Sequence, residues 1–345
     1  MCKIDDRKPV AINCIGDPLI IKKDQKLPII NFLATADPQY DTSYINPDIG
    51  LTLYADSVSA IMKRKLFAEK HEGVILAGDL THNCRPIEIL KYREYIDGYA
   101  EHIYDGTGNH DYRQIDGPFI DIQENIDFGL KEFSDFDGPG WDHGSVESWE
   151  IIRDRKRATP TNTIHPNIHY SWDWGDIHFV QLNLFAGNEP PPAKPYHDPW
   201  FALDFLKEDL AKHLCDPSDP IILIQHYGFD PFSLTLDEEG NPRYKGEWWT
   251  DAQRKKMWDF VKDYNVLAIF AGHAHNCTSC ETCYLPWDGT NVGIGNVKEP
   301  YIHSFISGAA REGMYLSCHI YDDVMHIERY RFEDLVYSYV LPITR

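Results

Sequence analysis

Long apolar runs are what this sequence most lacks. Nowhere in its 345 residues does an apolar stretch approach the ~18 residues that a membrane-spanning helix needs. The opening "MCKIDDRKPVAINCIGDPLIIKKDQ" has no continuous apolar segment of the kind a secretory signal carries, so a soluble, cytoplasmic chain without a transmembrane segment is expected. Positive charge is also scarce: 33 Lys and Arg stand against 54 Asp and Glu, a formal charge of −21. A field of that sign repels nucleic acid and anionic membrane surfaces, so no nucleic-acid partner is expected. It still admits anionic ligands where bound cations reverse the sign locally, and divalent metals would be the natural device. Cysteine is sparse as well. Of eight, Cys2, Cys14, Cys84, Cys215 and Cys318 lie scattered, as reduced thiols do. No repeat, low-complexity tract or Gly/Ser linker divides the chain, and 43% hydrophobic with 13% aromatic residues excludes a disordered one.

What is there is an alternation of apolar strand, polar loop and amphipathic helix. Strands are expected in "IINFLATAD" (29–37), "GVILAGD" (73–79), "EHIYDGTGNHD" (101–111), "PIILIQHYG" (220–228) and "VLAIFAGHAH" (266–275). Helices are expected over 55–70, with Val58, Ile61, Met62 and Leu66 on one face, and over 86–96, 199–214 and 250–264. Residues 167–184 read as a hairpin turning at Trp174-Gly175-Asp176, and the tail is strand-rich. Mixed βαβ units with a β-rich end suggest an α/β fold of two sheets packed face to face with helices outside. Residues 1–28 read as an N-terminal extension and 29–345 as one domain with loop insertions around 112–166, 185–198 and 229–249, rich in Asp, Gly, Pro and aromatics.

The strand exits carry the chemistry. They read "ADPQ", "GDLTHN", "GNHD", "QHYG" and "GHAH", each with Asp, Asn or His and most with a Gly for a sharp turn. Ligands of open α/β sheets bind outside the carboxyl ends of strands, so five such exits would converge on one crevice. A lone Asp there is usually a turn former or cap, and a lone His226 or Asn109 has an ordinary structural reading. Together and in order the five resemble the calcineurin-like metallophosphoesterase superfamily, whose pattern runs D-x-H, G-D-x-x-D, G-N-H-D/E, H, G-H-x-H. The match spans roughly residues 29–275, with the tail resembling the family's second sheet.

That resemblance implies a four-layer αββα sandwich and a phosphoester hydrolase with two divalent or trivalent metal ions, Mn, Fe or Zn. By matching position one ion would be held by Asp37, Gln39, Asp79 and His275, and the other by Asp79, Asn109, His226 and His273, with Asp79 bridging. Imidazole and carboxylate ligands suit those metals, and two ions ~3.5–4 Å apart can share a hydroxide nucleophile and clamp phosphoryl oxygens. The resemblance places the catalytic His110 near the leaving-group oxygen.

Two departures stand out. Gln39 replaces the frequent histidine, as in branches that include protein phosphatases and nucleotide-sugar or ADP-ribose pyrophosphatases; and His82 stands where G-D-x-x-D carries an acid to orient the catalytic histidine. Asp111 is a candidate substitute for that acid. Arg113 and Arg311 are the best-placed cations for phosphate, and Tyr40, Tyr112, Tyr227, Trp248 and Trp249 are candidate pocket walls, with Tyr227 a candidate substrate contact. Cys277, Cys280 and Cys283, in "HNCTSCETC", leave three readings open: a zinc site completed by Cys84 or Cys318, a disulfide, or a reduced loop. The leading expectation is a phosphatase for a phosphorylated small molecule, lipid headgroup or phosphoprotein. The alternatives are a phosphodiesterase or nucleotide pyrophosphatase on the same site, a non-catalytic metal-binding scaffold, and an interaction module centred on the cysteines.

Overall fold

Phe32 sits at the centre of the molecule, with its ring edge-on to Phe179 and Phe270, each 5.5 Å away between centroids. Those three residues come from two different sheets and mark the seam between them. The computed structural model describes residues 27–40, 51–82, 86–111, 155–156, 169–192, 194, 197–229, 248–275, 282–285 and 300–343. The first sheet joins β1 (Ile30–Thr35), β2 (Val74–Leu76), β3 (Ile103–Asp105), β11 (Met314–Ile320), β12 (Val324–Arg331) and β13 (Asp334–Pro342) in the order β13-β12-β11-β1-β2-β3. The second joins β4 (Arg155–Lys156), β5 (Tyr170–Trp174), β6 (Ile177–Gln181), β7 (Ile221–Ile224), β8 (Val266–Ala271), β9 (Thr282–Leu285) and β10 (Ile302–Ile306) in the order β4-β5-β6-β7-β8-β10-β9. In each sheet the strands that lead to the expected exits run parallel, so their carboxyl ends lie on one side.

Helices cover both outer faces. α1 (Leu51–Ala68) and α2 (Pro86–Ile96) pack on the first sheet, and α1 buries Val58, Ile61, Met62 and Leu66 as its apolar spacing requires. α3 (Ala202–His213) and α4 (Asp251–Val261) pack on the second. α4 opens with a capping box between Thr250 and Gln253. α3 has no side-chain cap of its own; instead Asn188 Oδ1 accepts from the Asp204 amide at 3.0 Å, tying the helix to the loop after β6. The result is the four-layer αββα sandwich.

Two expectations change. The tail does not belong to the second sheet alone. Only β10 extends it, while β11 to β13 return to the first sheet and pair antiparallel along β1 from Ile30↔Ile320 to Ala34↔Leu316, closing an edge that would otherwise leave backbone groups unpaired. The strands also stop short of the motifs: β2 ends at Leu76 and β8 at Ala271, because Gly78, Asp79 and His273 turn to positive φ and leave the ladder. The hairpin turn at Gly175 and Asp176 falls where expected. Most of the three insertions, with Tyr112, Arg113, Cys84, Cys277 and Cys280, lies outside the described residues, and Cys283 falls on β9.

Candidate metal centre

Asp37, Asp79, His226 and His273 are buried at the seam between the two sheets, each just past the end of its strand. Their backbones share an unusual feature. Asp37, Gln39, Asp79 and His273 all have left-handed φ, between 42° and 69°. Non-glycine residues adopt that region at a cost, and such strain clusters where a site over-determines the chain. The loops are also pressed together. A side chain at Gly272 would meet the Ala77 carbonyl at 2.6 Å and Asp37 Oδ2 at 2.9 Å, and one at Gly108 would overlap Asp79 Oδ1. Glycine at those two positions is a condition of the loops' approach.

Two groups of donors result. Asp79, His226 and His273 form one, and Asp37, Asp79 and His275 the other, with ligand atoms in each group within 4.8 Å of one another. Asp79 belongs to both. His226 shows how the donors are aimed: its Nδ1–H donates to the Ala77 carbonyl at 2.8 Å, which turns Nε2 toward Asn109 Oδ1 at 3.0 Å and Asp79 Oδ1 at 3.2 Å. A ring nitrogen and two oxygens facing one point must share either a proton or a cation. On the other side His275 Nε2 stands 3.3 Å from Asp37 Oδ1, while the His273 amide donates to Asp37 Oδ2 at 3.0 Å. Carboxylate, imidazole and amide oxygen converging in a buried crevice are a donor set that fits metal ions.

Electrostatics divide the donors between those that hold a proton and those already free of one. Burial disfavours a charged His226, but Asp79 beside it more than compensates and lifts the imidazole to about 9. Burial likewise works against the Asp79 carboxylate, yet His226 and His110 hold it well below the usual range. Burial, then His226, pushes His273 well below the usual histidine value, leaving it neutral as a ligand must be.

Gln39 lies in the cluster, but its carboxamide is turned by two neighbours. Nε2 donates to Asp79 Oδ2 at 2.7 Å, and Oε1 accepts from the Arg311 guanidinium. Arg311, on a 3-10 turn at Ala310–Glu312, is thus a neighbour of the site, and Glu312 Oε1 stands 3.7 Å from His275 Nδ1. Asp111 does not orient His110. Its oxygens accept from the Leu80, Thr81 and Gly108 amides and the Thr81 hydroxyl at 2.7–3.1 Å, lashing the GDLT loop to the GNHD loop. Burial, then Asp79, raises the Asp111 carboxyl to about 7. His110 instead donates from Nδ1 to the His82 carbonyl at 2.7 Å, and its ring stacks on that of His82.

The aromatic candidates divide. Tyr40 is a core residue, its hydroxyl donating to Asp56 and its ring edge-on to Tyr95, and Trp249 packs among Phe185 and Phe229. Tyr227 is fully buried, with its hydroxyl bonded to His197 Nδ1 at 2.7 Å, so it braces His273, 4.8 Å away between centroids, from behind. Trp248 meets the His273 ring edge-on at 4.2 Å and carries the Lys194 ammonium over its face. Cys318 sits in the core between the sheets, as a free thiol.

One contributor escaped the sequence reading. Asn183, just past β6, accepts the Thr107 amide on Oδ1 at 2.8 Å and the His226 amide on its carbonyl at 2.6 Å, so it fixes the GNHD and QHYG loops to each other. Its only sequence signal is an Asn in the apolar "QLNLF", which by itself reads as a turn residue.

Fold and site together define a metal-dependent phosphoesterase of the two-sheet type. A family model described as calcineurin-like phosphoesterase matches residues 30–277, and the chain belongs to that family. Among solved structures, a dimetal phosphatase from Danio rerio is similar with a TM-score of 0.53 and 12% identity, over 92% of this chain and 100% of that one. GAP50, the anchor in the inner membrane complex of Plasmodium, is similar with a TM-score of 0.54 and 10% identity, over 92% and 89%. The purple acid phosphatase PPD1 from yellow lupin (Lupinus luteus) seeds has a TM-score of 0.54 and 14% identity, over 91% of this chain and 53% of its own. Curated protein sequences give no match. No described helix is long and apolar enough to cross a membrane.

Proposed function

We propose that this protein is a dinuclear metal-dependent phosphatase acting on phosphomonoesters. The observation that carries the reading is the double membership of Asp79, whose carboxylate is common to both groups of candidate ligands. Asp37, Asp79 and His275 would hold one ion, and Asp79, Asn109, His226 and His273 the other. Gln39 would complete the first set by presenting Oε1, which means giving up its bond to Arg311. When bound, such a pair supplies an acidified water for attack and positive charge for the phosphoryl oxygens.

The chain's own residues supply the rest. The Nδ1–H of His110 is committed to the His82 carbonyl, so Nε2 is the nitrogen turned inward, 4.0 Å from Asp79 Oδ2. From there it would serve the leaving-group oxygen, by donating a proton or by hydrogen bonding to it. Arg311, once released from Gln39, is placed to bind a phosphate oxygen in the fork geometry guanidinium favours. Amide oxygens beside carboxylate and imidazole suit Mn or Fe as well as Zn. A cytoplasmic location accords with the free thiols of Cys215 and Cys318.

The test is metal analysis of the purified protein with turnover of p-nitrophenyl phosphate, its bis ester and ADP-ribose. Monoester hydrolysis is expected, and on an alkyl phosphate, whose leaving oxygen needs a proton, His110→Ala should lower kcat by ~10²–10⁴-fold with the metals retained. A preference for the bis ester or for ADP-ribose would replace the phosphatase reading with a diesterase or pyrophosphatase. Metal-loaded protein that turns over no phosphoester would leave a scaffold.

A further inference from the structure

His110 is held by an imidazole where the family pattern has an acid. Its ring lies 4.7 Å from that of His82 between centroids, with 25° between the planes, while its Nδ1–H donates to the His82 carbonyl at 2.7 Å. Its own amide donates to Asp79 Oδ1 at 2.8 Å. Asp111, the adjoining carboxylate of the GNHD loop, already accepts four hydrogen bonds from the two loops.

We propose that His82 is a positioning residue for His110, its carbonyl selecting the nitrogen that faces the crevice and its ring fixing the plane in which that nitrogen points. The division of labour follows from geometry. One hydrogen bond sets which end of an imidazole is tethered, but its broad angular tolerance lets the ring pivot about the N···O line. An offset stack removes that freedom, because pivoting would separate the two faces. The carbonyl belongs to the backbone and survives any substitution at position 82; the stack survives only an aromatic one. Replacing the side chain therefore separates aim from tether. Aim matters most where the departing oxygen needs a proton or hydrogen bond, and least where it leaves readily as a stable anion.

This inference rests on the phosphatase reading, and the experiment separates the two. His82→Ala, His82→Asn and His82→Phe are compared with wild type on an alkyl phosphate and on p-nitrophenyl phosphate, with folding checked by thermal melting. In His82→Ala, kcat for the alkyl ester should fall about tenfold, the upper end of what an aromatic pair contributes, with KM unchanged and p-nitrophenyl phosphate hardly affected. His82→Asn, which also lacks a ring, should behave as His82→Ala and takes its place if that variant does not fold. His82→Phe should restore the alkyl ester rate to within about threefold of wild type, since the stack survives without an ionisable group. In metal-free protein, His110 should show the same Nδ1–H tautomer by ¹⁵N NMR in every form, with exchange broadening only in the variants without a ring. Equal dependence on the leaving group in wild type and His82→Ala, equal line widths throughout, or a His82→Phe no better than His82→Ala would each overturn the proposal and leave the phosphatase reading standing. A wild type that hydrolyses neither ester would sink both.

Discussion

Asp79 Oδ1 lies 3.2 Å from His226 Nε2, and both residues are wholly buried although they leave strands of different sheets. Neither loop could keep so strong a charge in the seam without the other. An isolated carboxylate or imidazolium there would face a desolvation cost of several kcal/mol. The pair is what lets two sheets meet at a polar rim.

Metal binding should therefore release a proton. With no cation the His226 imidazole holds its proton up to about pH 9, and a metal must displace it. Calorimetric titration at pH 7 in buffers of different ionisation enthalpy should show about one proton released per site formed at His226. Apparent affinity should climb with pH by about tenfold per unit until pH 9. Affinity independent of pH between 7 and 9 would contradict the pairing.

Asn183→Ala should loosen the centre without touching a ligand. It strips the Thr107 amide of its acceptor and places Ala at φ 57°, which asparagine tolerates better. A loss of about 1–3 kcal/mol in denaturant unfolding is expected. Metal affinity should fall by ~10–100-fold, as when supporting partners of ligands are removed elsewhere. Asn183→Asp, which keeps the acceptor, should retain most of the stability.

Arg311→Ala should separate substrate binding from metal retention. The guanidinium touches Gln39 and not the carboxylates of either ligand group, so metal content should stay as in wild type. KM for a phosphomonoester should rise by about tenfold, the worth of one charge-assisted hydrogen bond. Steady-state kinetics with parallel metal analysis reads both.

A second buried ion cluster, away from the centre, should shape the stability profile. His178 is clasped between Asp173 Oδ1 at 2.6 Å and Asp209 Oδ2 at 2.8 Å, linking the β5–β6 hairpin to α3. Burial opposes its charge, but the two carboxylates prevail and raise it to about 9. A raised folded-state value means stability fully present below about pH 6.5 and lost as pH climbs through 9. The amount at stake is about 3 kcal/mol. Melting curves from pH 6 to 10 should show this slope in wild type and a shallower one in His178→Gln, the remainder coming from His226.

The sequence by itself determined most of the elements, though not β4 or β9, and the list of candidate ligands. Apolar spacing on α1 and the short buried runs of β7 and β8 reflect burial, which a side chain's own chemistry dictates. Five polar exits in fixed order were legible because the chemistry requires those residue types. Only the tertiary structure decided which carbonyl aims which imidazole, and backbone acceptors such as those of Ala77, His82 and Asn183 carry no mark in the side-chain code. It alone showed that Asp111 braces loops, that Gln39 is turned by Arg311, and that β11 to β13 rejoin the first sheet. Each of these depends on groups far apart in the chain meeting at hydrogen-bond distance, and no local propensity encodes that.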